Sequence, residues 1–310
     1  MKKIFVFYFL LLFVLHSAFA QPDKDFRLHN KQHKVVIPFE LWNNHIYIKV
    51  RVNNSDSLCF LFDNGAAASG IMVDSSMASK IGLKETGKIT AAMTGGNSDF
   101  LITDSVSLTI GKLFIFKQKA AWFHLKEQEK DEGHKIDGIL GYSFFKYFVF
   151  EVDYLNKRLT IADPHYYNDK KWANKIPLVD LDKNRVPIVT GTLISKKGKK
   201  IKSNFTMDTG HDEYIVLGKQ FVIDNKLEND TLRIQPKRDN AGLGGETIHK
   251  SGVIKGFSIG AVKVQKSNAI FSFDNEGVYS NFNGVLLGGQ FFKTHKLILN
   301  YPKKYLVLTK

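Results

Sequence analysis

The 310-residue chain has one cysteine, Cys59, only 7 prolines and no apolar run of membrane-spanning length after residue 15. One cysteine excludes an internal disulfide framework and paired-cysteine zinc sites. The low proline content, together with 24 glycines, excludes collagen-like and proline-rich disordered chains. No His-Glu-x-x-His spacing occurs and no Gly-x-Gly-x-x-Gly turn opens a helix after a strand, so we expect neither a metal nor a cofactor. The core must be held by apolar burial, for which 25 phenylalanines are available.

The first 20 residues have the features of a secretory signal peptide. Lys2 and Lys3 precede twelve apolar residues, 4–15, and Ala18-Phe19-Ala20 has the small-x-small pattern of a cleavage site. We expect removal of residues 1–20, although an uncleaved anchor is the alternative. The mature chain would then be exported without a transmembrane segment, either to the periplasm or out of the cell. The short leader is typical of bacteria, and a Gram-negative host fits best.

Positive charge is concentrated in the second half of the chain. The net charge is +14; residues 21–170 carry 19 Lys and Arg against 18 Asp and Glu, whereas residues 171–310 carry 23 against 12. Such asymmetry can attract a polyanion, for example an anionic glycan, lipopolysaccharide or nucleic acid. The densest cluster, 196–200, lies between two strand-like runs and is typical of a hairpin tip. We favour the hairpin, expect no nucleic-acid partner, and keep anionic docking as a weaker alternative.

An internal duplication organises the chain. Ile37-Pro38 returns as Ile176-Pro177, and a strand that ends in Asp63-Asn64-Gly65 returns as a strand that ends in Asp208-Thr209-Gly210. These landmarks keep their order at offsets of 139 to 145 residues. The repetition predicts two related halves. The expected divisions are a signal peptide (1–20), an N-terminal extension (21–34), an N-terminal lobe (35–165) and a C-terminal lobe (166–310).

The hydrophobic pattern is mostly that of short β-strands. Apolar or alternating runs of about five residues are separated by Asn, Asp, Ser and Gly, which is typical of a sandwich or barrel. Asp74 is the expected N-cap of a helix over 75–81 that ends at Gly82. A second helix is expected over 218–225. Each half is predicted to close with a hairpin, over 148–161 and over 296–308.

Two Asp-x-Gly loops in a duplicated chain carry more information than one. Each loop is followed downstream by two apolar residues and a glycine, Ile139-Leu140-Gly141 in the first half and Leu286-Leu287-Gly288 in the second. In these features the chain resembles the pepsin and retropepsin family of aspartic proteases, including its bacterial members, over about residues 35–310. The resemblance implies an all-β, bilobal acid-protease-like fold, in which two duplicated barrel lobes of the six-stranded type enclose a cleft.

The resemblance also implies a monomeric aspartic endopeptidase that acts on a peptide or protein substrate. Asp63 and Asp208 would be the catalytic residues, and the loops around them would be supported by four neighbours: Asn64, Gly65, Thr209 and Gly210. Two carboxyls brought together cannot both ionise readily, so the pair shares a proton. One can then take a proton from water while the other polarises the scissile carbonyl. The sequence leaves open which aspartate holds the proton.

Each half has a glycine-rich stretch about thirty residues after its aspartate. By resemblance these stretches are flaps that fold over substrate, with Gly95 and Gly96 in the first half and Gly244 and Gly245 in the second. Ordinary hairpin turns are the alternative. Asp212, two residues after Gly210, is similar to a retroviral feature and is placed with the substrate-binding residues.

The first loop departs from the family pattern at Asn64, where Thr or Ser is usual. Because Asn is longer and planar, the tie between the loops could be altered and the carboxyls displaced. The competing hypothesis is therefore an impaired pseudo-protease that binds a peptide or protein without cutting it. His211 could lower nearby pKa values as an imidazolium, but we favour a residue on the rim that points to solvent.

The remaining candidates are interpreted as structural. Cys59 is expected to be buried and inert. The charged run 127–135 is interpreted as a solvated loop. The pairs Phe144-Phe145 and Phe291-Phe292 recur in register with the duplication, so we assign them to the core of each half.

Overall fold

The computed structural model describes residues 25–28, 32–68, 70–93, 96–232, 237–242, 245–277 and 279–309. The expected signal peptide, part of the expected N-terminal extension, Gly95 and Gly244 lie outside these residues. Within the described ranges, no helix is long and apolar enough to cross a membrane.

Strands dominate the described residues and are numbered here in chain order. In the first half they are β1 (Phe26–Leu28), β2 (Lys34–Pro38), β3 (Glu40–Trp42), β4 (His45–Val52), β5 (Leu58–Phe62), β6 (Ile71–Asp74), β7 (Gly87–Met93), β8 (Gly96–Ile110), β9 (Leu113–Phe123), β10 (Gly138–Leu140), β11 (Val149–Asp153) and β12 (Arg158–Ala162). In the second half they are β13 (Ile176–Pro177), β14 (Ile188–Ile194), β15 (Lys200–Met207), β16 (Ile215–Leu217), β17 (Lys237–Gly242), β18 (Gly245–Ile259), β19 (Val262–Ser272), β20 (Val285–Leu287), β21 (Lys296–Asn300) and β22 (Tyr305–Thr309).

Helices are short. They are α1 (Ser75–Ala78), α2 (Lys126–Glu132), α3 (Tyr142–Phe145), α4 (Leu181–Asn184), α5 (Lys219–Asn225) and α6 (Gly289–Phe292), with 3-10 turns at Asp169–Lys171 and Glu228–Asp230. Asp74 caps α1 by accepting from the Ser76 N–H at 3.0 Å, as predicted. The helix is shorter than expected, because regular helical bonding gives way after Ala78 to a turn that ends at Gly82, where φ is +72°.

Each half forms a closed six-stranded barrel with the same strand order. In the first half the ring runs β9-β6-β10-β5-β4-β8 and closes through the β8–β9 pairing. In the second half it runs β19-β16-β20-β15-β14-β18 and closes through the β18–β19 pairing. The directions also agree, since β10 is parallel to β5 and β20 is parallel to β15. The structure therefore confirms an all-β, bilobal fold built from a duplicated barrel.

A third sheet joins the two halves. Its order is β13-β22-β21-β11-β12-β2, so it contains strands from both ends of the chain. The hairpins predicted over 148–161 and 296–308 are both present in it. They do not lie in separate barrels, because β11 pairs with β21 in antiparallel register from Val149↔Asn300 to Asp153↔Lys296. The boundary expected near residue 165 stays a prediction.

An aromatic cluster fills the space between this sheet and the first barrel. Phe150 is fully buried at its centre. Its ring centroid lies 5.0–6.3 Å from those of Phe62, Phe144, Phe145, Phe148 and Tyr301. Phe62 ends β5 directly before Asp63, so the cluster supports the loop that carries this carboxyl. The predicted core role of Phe144-Phe145 agrees with this packing.

The sequence suggested that the charged run 127–135 is a solvated loop, but most of it is helical. Residues Lys126–Glu132 form α2, which ends at Gly133 with a φ of +65°. The run lacks apolar periodicity, so its pattern does not distinguish helix from loop. The glycine after it is a helix-ending signal that could have corrected the interpretation. The lysine cluster 196–200, by contrast, does lie at the β14–β15 hairpin.

Because Phe150 is enclosed by five aromatic rings, truncating it should leave a cavity. We expect Phe150→Ala to lower the free energy of unfolding by about 3–5 kcal/mol. Leu155→Ala is the matched control, since Leu155 is 91% exposed and should change stability little. Urea denaturation of both variants measures the difference. Equal stabilities would contradict the packing described here.

Candidate active site

Asp63 and Asp208 occupy equivalent positions, each directly after a strand that runs parallel to a short buried strand. The Asp63 N–H donates to the Leu140 carbonyl at 3.1 Å, and the Asp208 N–H donates to the Leu287 carbonyl at 2.9 Å. Strands β10 and β20 thus run beside the two loops and fix where each loop leaves its barrel. The apolar residues before Gly141 and Gly288 form these strands.

The two loops cross so closely that each carboxyl fills the space where a side chain of the other loop's glycine would be. A Cβ on Gly65 would overlap the Asp208 carboxyl, and a Cβ on Gly210 would overlap the Asp63 carboxyl. The two carboxyls are hydrogen-bonded to each other. Within its own loop each accepts an N–H on Oδ1 at 2.8 Å, Asp63 from Gly65 and Asp208 from Gly210. Glycine is needed here for close approach.

Asn64 and Thr209 tie the loops together, and both are fully buried. The Asn64 N–H donates to Thr209 Oγ1 at 3.2 Å, and the Thr209 N–H donates to Asn64 Oδ1 at 2.7 Å. The Thr209 hydroxyl also lies 2.7 Å from the Phe62 carbonyl, to which it can donate. The Asn64 carbonyl oxygen therefore accepts a backbone N–H from the opposite loop. The amide preserves the reciprocal tie that the sequence left in doubt.

The Asn64 amide group has a neighbour that the sequence did not indicate. Tyr301, fully buried beneath the loops, has its hydroxyl within polar reach of the Asn64 side chain. Neither Asn64 Nδ2 nor the Tyr301 hydroxyl forms a hydrogen bond of normal geometry with any described residue. Burial, followed by the charges of Asp63 and Asp208, raises the pKa of Tyr301 well above its usual value, so the phenol is neutral.

Burial raises the pKa of both carboxyls. For Asp208, burial and then the charge of Asp63 raise the pKa to about 7, against the opposing charge of His211. For Asp63, burial raises the pKa, while the N–H of Gly65 and then the charge of His45 oppose the shift. The pair therefore keeps one proton up to about neutral pH. Such a pair can offer a base and an acid at the same time.

The sequence analysis missed a polar cluster beside Asp63. His45 Nδ1 lies 2.9 Å from Glu132 Oε1, and the Tyr47 hydroxyl donates to the same oxygen at 3.0 Å. The indole N–H of Trp42 and the side-chain amide of Asn43 donate to the Glu132 backbone carbonyl at 2.8 and 3.1 Å. The cluster joins α2 to the start of β4. No motif connects these residues in sequence, because Glu132 lies about 90 positions after the others.

The sequence suggested that His211 points to solvent, and the structure contradicts this. Its side chain is 21% exposed, and its Nδ1 accepts the Glu213 N–H at 3.2 Å. Burial lowers the pKa of His211 against the opposing charges of Asp208 and Asp212. The Asp212 carboxylate is 54% exposed, while its backbone carbonyl accepts from the Asn44 amide of the other half at 3.0 Å. A substrate-binding role for Asp212 stays a prediction.

Gly96 and Gly245 each begin the second strand of a β-hairpin. Strand β7 pairs with β8 up to Met93↔Gly96, and β17 pairs with β18 up to Gly242↔Gly245. Strand β18 approaches β8, and β17 lies alongside α2 of the first half. His249 of β18 is near enough to His211 to contribute to its lowered pKa. The hairpins thus reach from each half toward the other, while the flap roles of Gly96 and Gly245 stay predictions.

Cys59 is buried in the first barrel, as expected. Its side chain is 3% exposed, and burial raises the pKa of the thiol, which keeps it protonated. Asp137 is buried beside it and accepts the Cys59 N–H on Oδ2 at 2.8 Å. The described residues contain no group of three or more His, Cys, Asp or Glu arranged to hold a metal ion.

Because the loops cross at van der Waals contact, a single methyl group at Gly210 should disturb them. We expect Gly210→Ala to lower the free energy of unfolding by about 2 kcal/mol, since the new Cβ displaces the Asp63 carboxyl. Gly87→Ala is the matched control, as its Cβ would meet only the Ile102 side chain at 3.4 Å. Urea denaturation compares the two. A Gly210→Ala variant as stable as Gly87→Ala would contradict the crossing.

The raised pKa of Asp208 makes stability depend on pH. The folded state favours the protonated carboxyl, so its stabilising contribution is lost as pH rises from the ordinary value of 3.8 through about 7. Asp208→Asn, which resembles the protonated form, should be more stable than wild type by about 4 kcal/mol at pH 8 and nearly equal to it near pH 3.5. Thermal denaturation at both pH values measures this. An equal effect at the two pH values would contradict the assignment.

Comparison with known families agrees with this geometry. Residues 48–144 match a family model described as aspartyl protease. The matched segment includes the Asp63 loop and Ile139-Leu140-Gly141, whereas the Asp208 loop lies outside it. No curated protein matches the chain. The match supports an aspartyl protease family for this chain and, with it, a general role as a peptidase.

Proposed function

We propose that the chain is an exported aspartic endopeptidase in which Asp63 and Asp208 activate a water molecule to hydrolyse peptide bonds. The observation that carries the proposal is the contact between two half-buried carboxyls from equivalent loops of a duplicated fold, whose raised pKa values favour one retained proton. A paired carboxyl and carboxylate is the chemistry that metal-free amide hydrolysis needs.

The reaction follows from the protonation of the pair. The carboxylate takes a proton from water as the water oxygen attacks the scissile carbonyl carbon, and the protonated partner donates to the carbonyl oxygen. The tetrahedral intermediate collapses when the carboxyl that took a proton from water donates it to the amide nitrogen, its partner takes a proton from a hydroxyl of the intermediate, and the C–N bond breaks. The N–H groups of Gly65 and Gly210 hold the two carboxyls in place, so little reorganisation is needed during the reaction.

The substrate would be an extended peptide held between the loops and the two glycine-ended hairpins. Hairpins of this kind can bind a peptide backbone as an added strand, while pockets between them select side chains. Because both hairpins and both aspartates belong to one chain, a monomer is sufficient. Export through the expected signal peptide would place the activity in the periplasm or outside the cell.

The geometry at Asn64 favours catalysis over the pseudo-protease alternative. Its Oδ1 accepts the Thr209 N–H at 2.7 Å, which holds the loops in reciprocal contact. The departure from Thr or Ser therefore changes the chemical group that makes the tie without opening the pair.

Turnover of the purified chain tests the proposal. We expect cleavage of an unstructured peptide library between pH 3 and 8, detected by mass spectrometry, with inhibition by a pepstatin-type transition-state mimic. Asp63→Asn and Asp208→Asn should each lower turnover by about 10³-fold or more, because each removes one member of the acid-base pair. Asn64→Thr should leave the rate unchanged or raise it.

Asp56→Asn is the control for the aspartate variants, since Asp56 is exposed and lies outside the loops. Binding of a peptide without cleavage by the wild type would replace the proposal with the pseudo-protease. A gain of cleavage in Asn64→Thr alone would show that residue 64 had disabled the natural protein. If the purified chain neither cleaves nor binds a peptide, both functions are rejected.

A further inference from the structure

The two carboxyls have unlike neighbours although their loops are related by duplication. Strand β4 pairs with β5 at Tyr47↔Leu61, and continuing this register by two residues places His45 opposite Asp63. In the second half β14 pairs with β15 at Ile188↔Thr206, and the same continuation places Val186 opposite Asp208. Directly opposed residues on adjacent strands have their Cβ atoms about 5 Å apart. The extended register therefore puts an imidazole opposite Asp63 and an apolar residue opposite Asp208, and the charge of His45 acts on Asp63.

The imidazole is held in a fixed orientation. Its Nδ1 contacts Glu132 Oε1 at 2.9 Å, and that oxygen also accepts the Tyr47 hydroxyl. The side chains of His45 and Glu132 are only 13% and 14% exposed. His45 Nε2 is buried and has no hydrogen-bond partner among the described residues. A buried imidazole with one nitrogen on a carboxylate retains its second proton more readily than a free one.

Charges from three elements act on His45. Burial opposes its charged form, but the hydrogen bond and charge of Glu132 on α2, and then the charges of Asp212 and Asp63, outweigh burial and raise the pKa of His45. His211 lies close enough to His45 for positive charges on the two rings to repel each other.

Other polar groups lie close to His45 or to the residues that contact it. The Tyr47 phenol is neutral, since burial and then the charge of Glu132 raise its pKa. Lys293, after α6, donates to the side chain of the neighbouring Asn44 at 3.0 Å. His134 pairs with Glu40 at 3.1 Å and its ring lies 4.1 Å from that of Tyr47.

His211 is not an equivalent cation for Asp208. Its Nδ1 accepts the Glu213 N–H, so this nitrogen carries no proton in that hydrogen bond. Burial then lowers the pKa of His211, which makes the ring neutral near pH 7. Among the described residues, the imidazole near Asp208 therefore loses its charge at lower pH than His45, whose pKa is raised.

We propose that His45, held by Glu132, is a positioning residue that keeps the negative charge of the pair on Asp63 and leaves the proton on Asp208. This assignment rests on the proposed peptidase function and deepens it. Asp63 becomes the base that takes a proton from water, and Asp208 becomes the acid that donates to the scissile carbonyl oxygen. The duplicated fold then has fixed, unequal roles for its two loops.

An NMR titration of the His45 ring tests the coupling without requiring turnover. In the full chain, His45 should titrate above its ordinary value of 6.5, with the resonance assigned by its loss in His45→Gln. Asp63→Asn and Glu132→Gln should each lower the His45 midpoint by about one pH unit, because coupling between charges is reciprocal. His134→Gln is the matched control and should not move it.

The pH dependence of kcat/KM tests the consequence for catalysis. Loss of the imidazolium raises the pKa of the base, so His45→Gln should move the acidic limb up by about one pH unit, roughly a tenfold loss below that limb. Glu132→Gln should move it in the same direction, and His134→Gln should leave it in place. A uniform loss at every pH would indicate a merely structural role and overturn the proposal.

The two experiments separate the possible failures. If the protein has no peptidase activity but the His45 midpoint responds to Asp63→Asn, the proposed function fails while the coupling stands. If peptides are cleaved but His45 titrates at or below 6.5, or ignores Asp63→Asn, the charge assignment is overturned and the peptidase remains.

Discussion

Two carboxyl groups in contact inside a folded protein impose a constraint that much of this structure serves. Without support they would repel each other, take up water and push their loops apart. Three features oppose this: N–H groups that bind each carboxyl, glycines that allow the loops to cross, and a shared proton. The reciprocal tie between Asn64 and Thr209 then fixes the distance between the loops. Each of these would be unnecessary if the carboxyls lay on separate surfaces.

The frame that holds the loops extends well beyond them. Parallel strands β10 and β20 fix the exits of the two loops, and the phenylalanine cluster packs behind Phe62. The sheet shared by the two halves then prevents the barrels from separating, since β11 and β21 are hydrogen-bonded along five residue pairs. The precision of the carboxyl pair therefore depends on burial and strand pairing far from the reacting groups.

The duplication made the fold and the paired loops predictable from sequence. Repetition of Asp-x-Gly and of the apolar-apolar-Gly segments could be read directly, because each motif lies in one continuous stretch. That Asp63 and Asp208 lie together was implied by the resemblance to aspartic proteases, in which each half supplies one loop. By contrast, the helix over Lys126–Glu132 was predicted as a loop, since its residues are charged on all sides and local periodicity does not reveal where it docks.

The neighbours of the pair were the least predictable part. His45 and Glu132 are 87 positions apart, and Tyr301, whose pKa responds to both aspartates, comes from the other end of the chain. The orientation of His211 depended on tertiary burial, which a sequence pattern around Gly210 does not report. Asn64 was recognised as unusual, but its effect depended on which atom faced Thr209, and only the folded geometry places Oδ1 on that N–H.

The register of the shared sheet has a further meaning. Strand β11 follows Phe144-Phe145 and β21 follows Phe291-Phe292, so the duplication aligns the two strands at an offset of 147 residues. At the centre of their ladder, Glu151 pairs with Ile298, the residue at the equivalent position of the other half. A ladder in which equivalent positions face each other is the isologous contact of a two-fold dimer. Two identical copies of one half could form the same ladder, so this single chain has the geometry of a symmetric homodimer joined by a linker.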